Sequence, residues 1–300
     1  MDKLTHLSLF SGIGGLDLAA EWAGFETVGQ CEWADYPTKV LEKHWPNVPR
    51  WRNIYDFGAV EFERRTGQKT VDCISGGFPC QPHSVAGKRE ASDDERDLWP
   101  EMRRVISEIK PRWVVGENVR GLLSSEDGRF FRGILGDFAN LGYDVAWCVT
   151  SAAAVGAVHR RERLAIIAYA HEHGLQGRVL EEQSGVSKLL SAALDSRDLL
   201  HEIPKDELPK SGICSSLNGI PHGMDDLRAY GNSVCWMSFY PIFKSIADIE
   251  MESAVRTISK AETVVANSAI TDRATVEQSS AVDKESFTTD SGYCRNGNDQ

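Results

Sequence analysis

Short apolar runs alternate with amphipathic segments over the first 170 residues. Helical spacing is clearest in the segment 98–109, which Pro111 ends, and the segment after residue 15 is predicted to be a helix with Leu18, Trp22 and Phe25 on one face. Runs typical of strands are 4–10, 27–31, 71–75, 113–116, 143–149 and 164–169, with a third strand end near 52–54. This alternation predicts an α/β fold with a doubly wound, mostly parallel sheet.

The pattern changes after residue 170. Residues 171–218 mix charged and small residues with short apolar runs, which predicts a small inserted region. Residues 219–249 return to a helical pattern over 236–246 and are expected to complete the core formed by 1–170. Residues 250–300 contain few large apolar side chains and are expected to form a mostly disordered or marginally helical tail.

Composition narrows the class of protein. With 300 residues and 41% hydrophobic content the chain can bury a large core without disulfides or metals. Its seven cysteines form no CxxC pair and no Cys/His cluster at zinc-ligand spacing, which favours a reducing compartment. Residues 1–6 show no signal-peptide pattern, and no apolar stretch is long enough to span a bilayer, so we expect a soluble cytoplasmic protein.

The charge balance argues against one mode of nucleic-acid binding. A net charge of −11 is unsuited to coating nucleic acid by bulk electrostatics, although it permits a local basic cleft. Clusters at 88–89, 103–104 and 160–163 could form such a cleft, or each could be a solvated face.

Cys80 is the first candidate for chemistry. It follows the apolar run 71–75 and two glycines, so we expect it on a loop beyond the end of a strand, where a nucleophile is commonly placed. The alternative is a small buried apolar residue, as many free cysteines are. Glu117 comes directly after the next buried strand, and neighbouring strand ends that carry a thiol and a carboxylate favour a functional site.

A glycine turn at 11–15 joins the first strand to the first helix, as in many nucleotide-binding folds. Glu32 ends the second strand, where a carboxylate can accept hydrogen bonds from ribose hydroxyls. The glycine spacing differs from GxGxxG, so a nicotinamide oxidoreductase is a distant alternative. Asn53 could meet an adenine edge or be an ordinary loop asparagine.

The segment 82–97 is charged and almost without apolar residues, so it is predicted to be a lid or a solvated connector. Its side chains suited to phosphate contacts are Ser84, Lys88, Arg89 and Arg96.

In their order and spacing these segments resemble the DNA (cytosine-5)-methyltransferase family of bacterial and phage type. The matching parts are 10–15, 32–33, 79–81 with Ser84, 117–119, Arg161 with Arg163, and 231–234. The resemblance covers about 4–170 and 219–246. It implies a Rossmann-like fold that binds S-adenosylmethionine, with a target-recognition region inserted before the last motif.

The resemblance also implies roles for individual residues. Cys80 would attack C6 of a cytosine turned out of the duplex, Glu117 would relieve charge at N3, Arg161 would hold the O2 side, and Arg163 would support the site. Phe10 would pack on the adenine of the cofactor. The other cofactor-binding residues would be Gly12, Gly14, Gly15, Glu32 at the ribose, Trp33 and Asn53 beside the adenine, Ile54, Pro79, and Asn232 with Ser233 near the methionine.

Four features depart from the family pattern. Asn53 replaces the usual aspartate, His159 the usual glutamine and His83 an aromatic residue, and the recognition region is short. The expected activity is methyl transfer to C5 of cytosine in double-stranded DNA by a monomer that needs no metal. The alternatives are the same chemistry on RNA and a non-catalytic module that binds nucleic acid or S-adenosylmethionine.

Overall fold

The computed structural model describes residues 3–80, 97–155, 160–170 and 234–255. Over these residues the strands are β1 Thr5–Leu9, β2 Glu26–Cys31, β3 Arg50–Trp51, β4 Cys73–Gly76, β5 Trp113–Val119, β6 Tyr143–Ser151 and β7 Glu162–Ala170. The α-helices are α1 Gly15–Trp22, α2 Asp35–His44, α3 Ala59–Thr66, α4 Trp99–Ile109 and α5 Arg129–Asn140, followed by α6, which begins at residue 236. Helical residues extend to 255.

The described strands form one sheet in the order β3-β2-β1-β4-β5-β7-β6. Neighbours from β3 to β5 are parallel, whereas β7 pairs antiparallel with both β5 and β6. The predicted doubly wound, mostly parallel α/β sheet is therefore confirmed. Because the order reverses at β1, the carboxyl ends of β1, β2, β4 and β5 lie along one edge, where ligands bind in such sheets.

Alternation along β1 sends its side chains to two different layers. Leu7 and Leu9 are fully buried and belong to a cluster with Met102 and Ile106 of α4. His6 and Ser8 point the other way, where the ring of His6 lies 5.7 Å from that of Phe243 on α6. Helices thus cover both faces of the sheet, and the strand ends remain available for chemistry.

One local prediction was wrong, and one helix was not predicted. The buried face of α1 consists of Leu16, Asp17, Ala19 and Ala20, whereas Leu18 and Trp22 are half-buried and Phe25 lies beyond the end of the helix. Small alanines let the helix lie close to the sheet, so the largest side chains did not mark the contact face. Helix α3 was not predicted, because Phe62 is its one fully buried residue.

The chain divides into two compact units, Met1–Asp248 and Ile249–Gln300. Residues 249–255 of the second unit are helical, and the rest of the predicted tail lies outside the described residues. Most of the predicted lid and the whole of the insert 171–218 also lie outside them. None of the described helices is long and apolar enough to cross a membrane.

Candidate active site

The turn after β1 is shaped by left-handed backbone conformations. Phe10, Gly12 and Gly14 have φ values of 52°, 56° and 89°. A non-glycine residue in this region is uncommon, so Phe10 occupies a strained position immediately before the turn. The Gly12 N–H donates to Oε2 of Glu32 at 2.8 Å, and the Ala34 N–H donates to Oε1 at 2.8 Å. The carboxylate at the end of β2 is thereby fixed against the glycine turn.

The three glycines of the turn meet different surroundings. A Cβ at Gly14 would lie 2.5 Å from the indole of Trp45, and a Cβ at Gly15 would lie 2.6 Å from the carbonyl oxygen of Val234. A Cβ at Gly12 would meet nothing within 4 Å. The turn is therefore tightly packed at Gly14 and Gly15 and open at Gly12. A loop that binds a ligand through its backbone needs such an open side.

The other predicted cofactor residues follow β2 and β3, the two strands on one side of β1 in the sheet. Trp33 is 72% exposed and Arg52 donates to its carbonyl oxygen at 2.6 Å, so the backbone below the free indole is held in place. Asn53 caps the short 3₁₀ helix Ile54–Asp56 by accepting from the Tyr55 N–H at 3.1 Å and donating to Asp56 at 2.8 Å. Ile54 is buried, and its carbonyl oxygen accepts from the Arg104 guanidinium at 2.8 Å.

Cys80 follows β4 on a loop, as the two glycines before it predicted. The ring of the buried Phe78 packs against Trp99, with centroids 5.2 Å apart. The carbonyl of the exposed Pro79 accepts from the Leu98 N–H at 3.2 Å, which ties the start of the 80–97 segment to its end. Burial, with smaller contributions from Asp97 and Glu126, raises the pKa of the half-buried Cys80 thiol to about 12.

Glu117 lies on β5, the strand next to β4. Its side chain is buried, and Oε1 forms an ion pair with Nε of Arg163 at 2.8 Å. Burial raises the pKa of the Glu117 carboxyl, while the positive charges of Arg163 and Arg161 oppose that shift. The pKa of Arg161 is lowered by burial and by Arg163. The charges of both arginines thus act on one carboxylate.

Sequence reasoning missed three contributors to this edge of the sheet. Asn118 is buried and donates to the carbonyl oxygen of Phe78 at 3.0 Å. A Cβ at Gly77 would lie 2.9 Å from Oε2 of Glu117. Asp17, buried in the first turn of α1, accepts hydrogen bonds from Ser8 and Gln30. Each had a signal in the sequence. Asn118 directly follows Glu117, Gly77 is the second of the two glycines before Cys80, and Asp17 is an acidic residue at the start of a helix.

The structure does not describe several of the predicted site residues. Asn232, Ser233, His83 and His159 lie outside the described residues, as do the predicted phosphate contacts Ser84, Lys88, Arg89 and Arg96.

The pair Arg103 and Arg104 forms no free basic patch. Arg103 pairs with Asp137 at 2.8 Å, and Arg104 pairs with Glu101 and Glu108 at 2.8 Å each. No group of three or more metal-ligating side chains capable of holding an ion occurs in the described part of the chain.

The sheet order, the glycine turn and the thiol and carboxylate at adjacent strand ends define an α/β methyltransferase fold. A model of the C-5 cytosine-specific DNA methylase family matches residues 4–292, so the chain belongs to this family.

Curated relatives are bacterial Type II methyltransferases. The chain is 29% identical over 242 residues to M.BsuFI of Bacillus subtilis, covering 80% of this chain and 57% of that protein. It is 36% identical over 171 residues to M.NgoMIV of Neisseria gonorrhoeae, covering 57% and 53%. The chain thus spans about half the length of these curated relatives.

A solved structure of a candidate DNA modification methyltransferase encoded within an Escherichia coli prophage is similar over 56% of this chain and 47% of that chain. Its TM-score is 0.50 and its sequence identity is 25%.

Proposed function

We propose that this chain transfers a methyl group from S-adenosylmethionine to C5 of a cytosine in double-stranded DNA, through a covalent bond between the Cys80 sulfur and C6. The observation that carries this proposal is the buried Glu117 carboxyl, paired with Arg163, on the strand beside the one that presents Cys80. Family membership supports the same reaction.

The residues around the glycine turn fit S-adenosylmethionine. Gly12 leaves open space, Glu32 supplies a carboxylate for ribose hydroxyls, and the exposed indole of Trp33 offers a face for the adenine. Phe10 lies at the start of the turn, and Asn232 and Ser233 precede Val234, which packs on Gly15. When bound, the cofactor supplies an electrophilic methyl group.

The raised pKa values suggest how protons are handled. At neutral pH the Cys80 sulfur is a thiol in the described conformation, so attack on C6 requires that its proton be removed. The raised pKa of Glu117 favours a shared proton between its carboxyl and N3 of the cytosine, which offsets charge as the ring accepts the thiolate at C6. Arg163 then fixes the orientation of the carboxyl, and Arg161, whose charge acts on the same carboxyl, would hold the O2 side of the base.

The substrate must be turned out of the duplex, since C5 and C6 are inaccessible inside it. We therefore propose double-stranded DNA as the partner, with Ser84, Lys88, Arg89 and Arg96 as phosphate contacts. A monomer in the cytoplasm is part of the proposal, and light scattering on the purified protein tests its oligomeric state.

The test is methyl transfer from labelled S-adenosylmethionine to DNA of mixed sequence. The wild-type protein should produce 5-methylcytosine, and Cys80→Ala should abolish it while binding of S-adenosylhomocysteine, measured by calorimetry, persists. Cys148→Ala, which removes a buried thiol on β6, is the matched control and should retain turnover. Absence of 5-methylcytosine across many sequence contexts, or turnover by Cys80→Ala, would contradict the proposal. If tRNA outcompetes duplex DNA as the methyl acceptor, the substrate is RNA and not DNA.

A further inference from the structure

The backbone that leads to Cys80 is held at three consecutive residues. Gly77 lies so close to Glu117 that a Cβ there would be 2.9 Å from Oε2. The carbonyl oxygen of Phe78 accepts from Asn118 at 3.0 Å. The carbonyl oxygen of Pro79 accepts from the Leu98 N–H at 3.2 Å. Two of these three contacts come from adjacent residues of β5, and the third comes from the start of α4.

Asn118 is suited to its contact because both ends of its amide are used. Its Nδ2 donates to Phe78, while its Oδ1 accepts from the Val119 N–H at 2.8 Å. The side chain is buried, so water does not replace either bond readily. A carboxylate at the same position would turn an acceptor toward the Phe78 carbonyl, and an alanine would leave that carbonyl without its donor.

We infer that Asn118 is a positioning residue that sets the distance and orientation between the Cys80 sulfur and the Glu117 carboxyl. Glu117 and Asn118 are consecutive, so one turns toward the reacting base and the other anchors the loop that carries the nucleophile. The Cys80 sulfur and the Glu117 carboxyl, which must contact the same pyrimidine ring, are therefore both positioned by two consecutive residues of β5. This inference rests on the proposed methyl transfer for its catalytic consequence, but its structural part does not require it.

The first readout is the rate at which iodoacetamide alkylates Cys80, followed by peptide mass spectrometry of the full-length protein. Loss of the buried hydrogen bond should loosen the loop and raise this rate by about tenfold in Asn118→Asp and Asn118→Ala. Asn140→Asp, at the exposed end of α5, is the matched control and should alkylate like the wild-type protein.

The second readout is the division between kcat and KM. Misplacement of the sulfur should lower kcat by on the order of 10²-fold in both Asn118 variants. The KM for S-adenosylmethionine and the affinity for S-adenosylhomocysteine should stay within about twofold, because the glycine turn after β1 lies outside this contact and Pro79 keeps its own hydrogen bond from Leu98. A thermal unfolding curve establishes that each variant is folded, and Asn118→Ser replaces any variant that is not.

The outcomes distinguish the positioning role of Asn118 from the proposed methyl transfer. If folded Asn118 variants alkylate and turn over like the wild-type protein, the positioning role is wrong. If kcat and cofactor affinity fall together, Asn118 supports the fold generally and the inference is also wrong. If the wild-type protein transfers no methyl group, the proposed function fails, and the alkylation rates alone still decide whether Asn118 holds the Cys80 loop.

Discussion

At the scale of single residues, Gly77 limits where the Glu117 carboxyl can lie. We predict that Gly77→Ala lowers methyl transfer at least about tenfold, because a Cβ 2.9 Å from Oε2 must displace the Glu117 carboxyl from its pairing with Arg163. Stability should fall by only about 1 kcal/mol, since the displaced atom is the end of a side chain. Radiolabel transfer and chemical denaturation measure the two effects.

Gly133→Ala is the control for this substitution. A Cβ at Gly133 meets nothing within 4 Å, and the residue lies inside α5, so alanine should raise stability by up to about 1 kcal/mol without changing activity. Full activity in Gly77→Ala would show that Glu117 has room to move and that its observed position is not required.

The candidate catalytic residues could be predicted from the sequence, whereas the residues that position them could not. Cys80 follows β4 and Glu117 lies near the end of β5, two strands that periodicity identifies, so their common edge could be inferred from the order of residues alone. The hydrogen bond from Asn118 to Phe78 joins residues 40 positions apart. The periodicity of a sequence does not predict which buried amide will donate to which distant carbonyl. Sequence thus predicted the strand ends that carry these candidates, whereas their positioning depends on contacts between distant parts of the chain.

At the scale of elements, a buried polar network joins α1 to the first two strands. Asp17 of α1 accepts from the Ser8 hydroxyl of β1 and from the Gln30 amide of β2, both at 2.8 Å. Gln30 in turn accepts from Arg50 at 2.8 Å, and Arg50 also donates to the carbonyl oxygens of Leu41 and Trp45. The network therefore connects the helix after the glycine turn with the tryptophan packed behind Gly14.

Burial raises the pKa of Asp17 from 3.8 to about 6. Between about pH 4 and 6 the native state keeps a proton that the unfolded state releases, so this group makes the free energy of unfolding fall as pH rises. The shift of about two units corresponds to on the order of 3 kcal/mol, fully expressed above pH 6. Asp17 therefore destabilises the native state most at neutral and alkaline pH.

We predict that Asp17→Asn is more stable than the wild-type protein at pH 8 and that this advantage disappears below about pH 4. The variant can still accept from Gln30, and the Ser8 hydroxyl can rotate to accept from its amide. Urea denaturation from pH 3.5 to 8 measures the difference, with Asp127→Asn as a matched removal of one exposed carboxylate. A stability difference that does not vary with pH would contradict the prediction.

Element prediction failed where apolar side chains are few or small. Helix α3 has a single fully buried residue, Phe62, among charged neighbours, so its sequence shows no apolar residues at helical spacing along one face. In α1 the buried residues include Ala19 and Ala20, and a search for large apolar residues selects the half-buried Leu18 and Trp22 instead. Helix α4 was predicted correctly because five large apolar residues are buried at helical spacing.

At the scale of the whole molecule, the segment 234–248 packs against the beginning of the chain. Val234 contacts Gly15, and the ring of Trp236 lies 5.6 Å from that of Trp22. Phe243 is fully buried. The glycine turn is therefore formed by residues near both ends of the first compact unit, and a prediction limited to local patterns could not establish this contact.

We predict that Phe243→Ala lowers the free energy of unfolding by about 3–5 kcal/mol, because it leaves a cavity between α6 and the sheet where the ring now contacts His6 and Phe25 at centroid distances of 5.7 Å. Tryptophan fluorescence and circular dichroism should report the same shifted midpoint, since α6 and the sheet share this core. Val60→Ala, at an 80% exposed position, should change stability by less than about 0.5 kcal/mol. Separate transitions in the two signals would mean that α6 unfolds independently of the sheet, and the cofactor turn would then lose its support at Gly15 before the rest of the molecule unfolds.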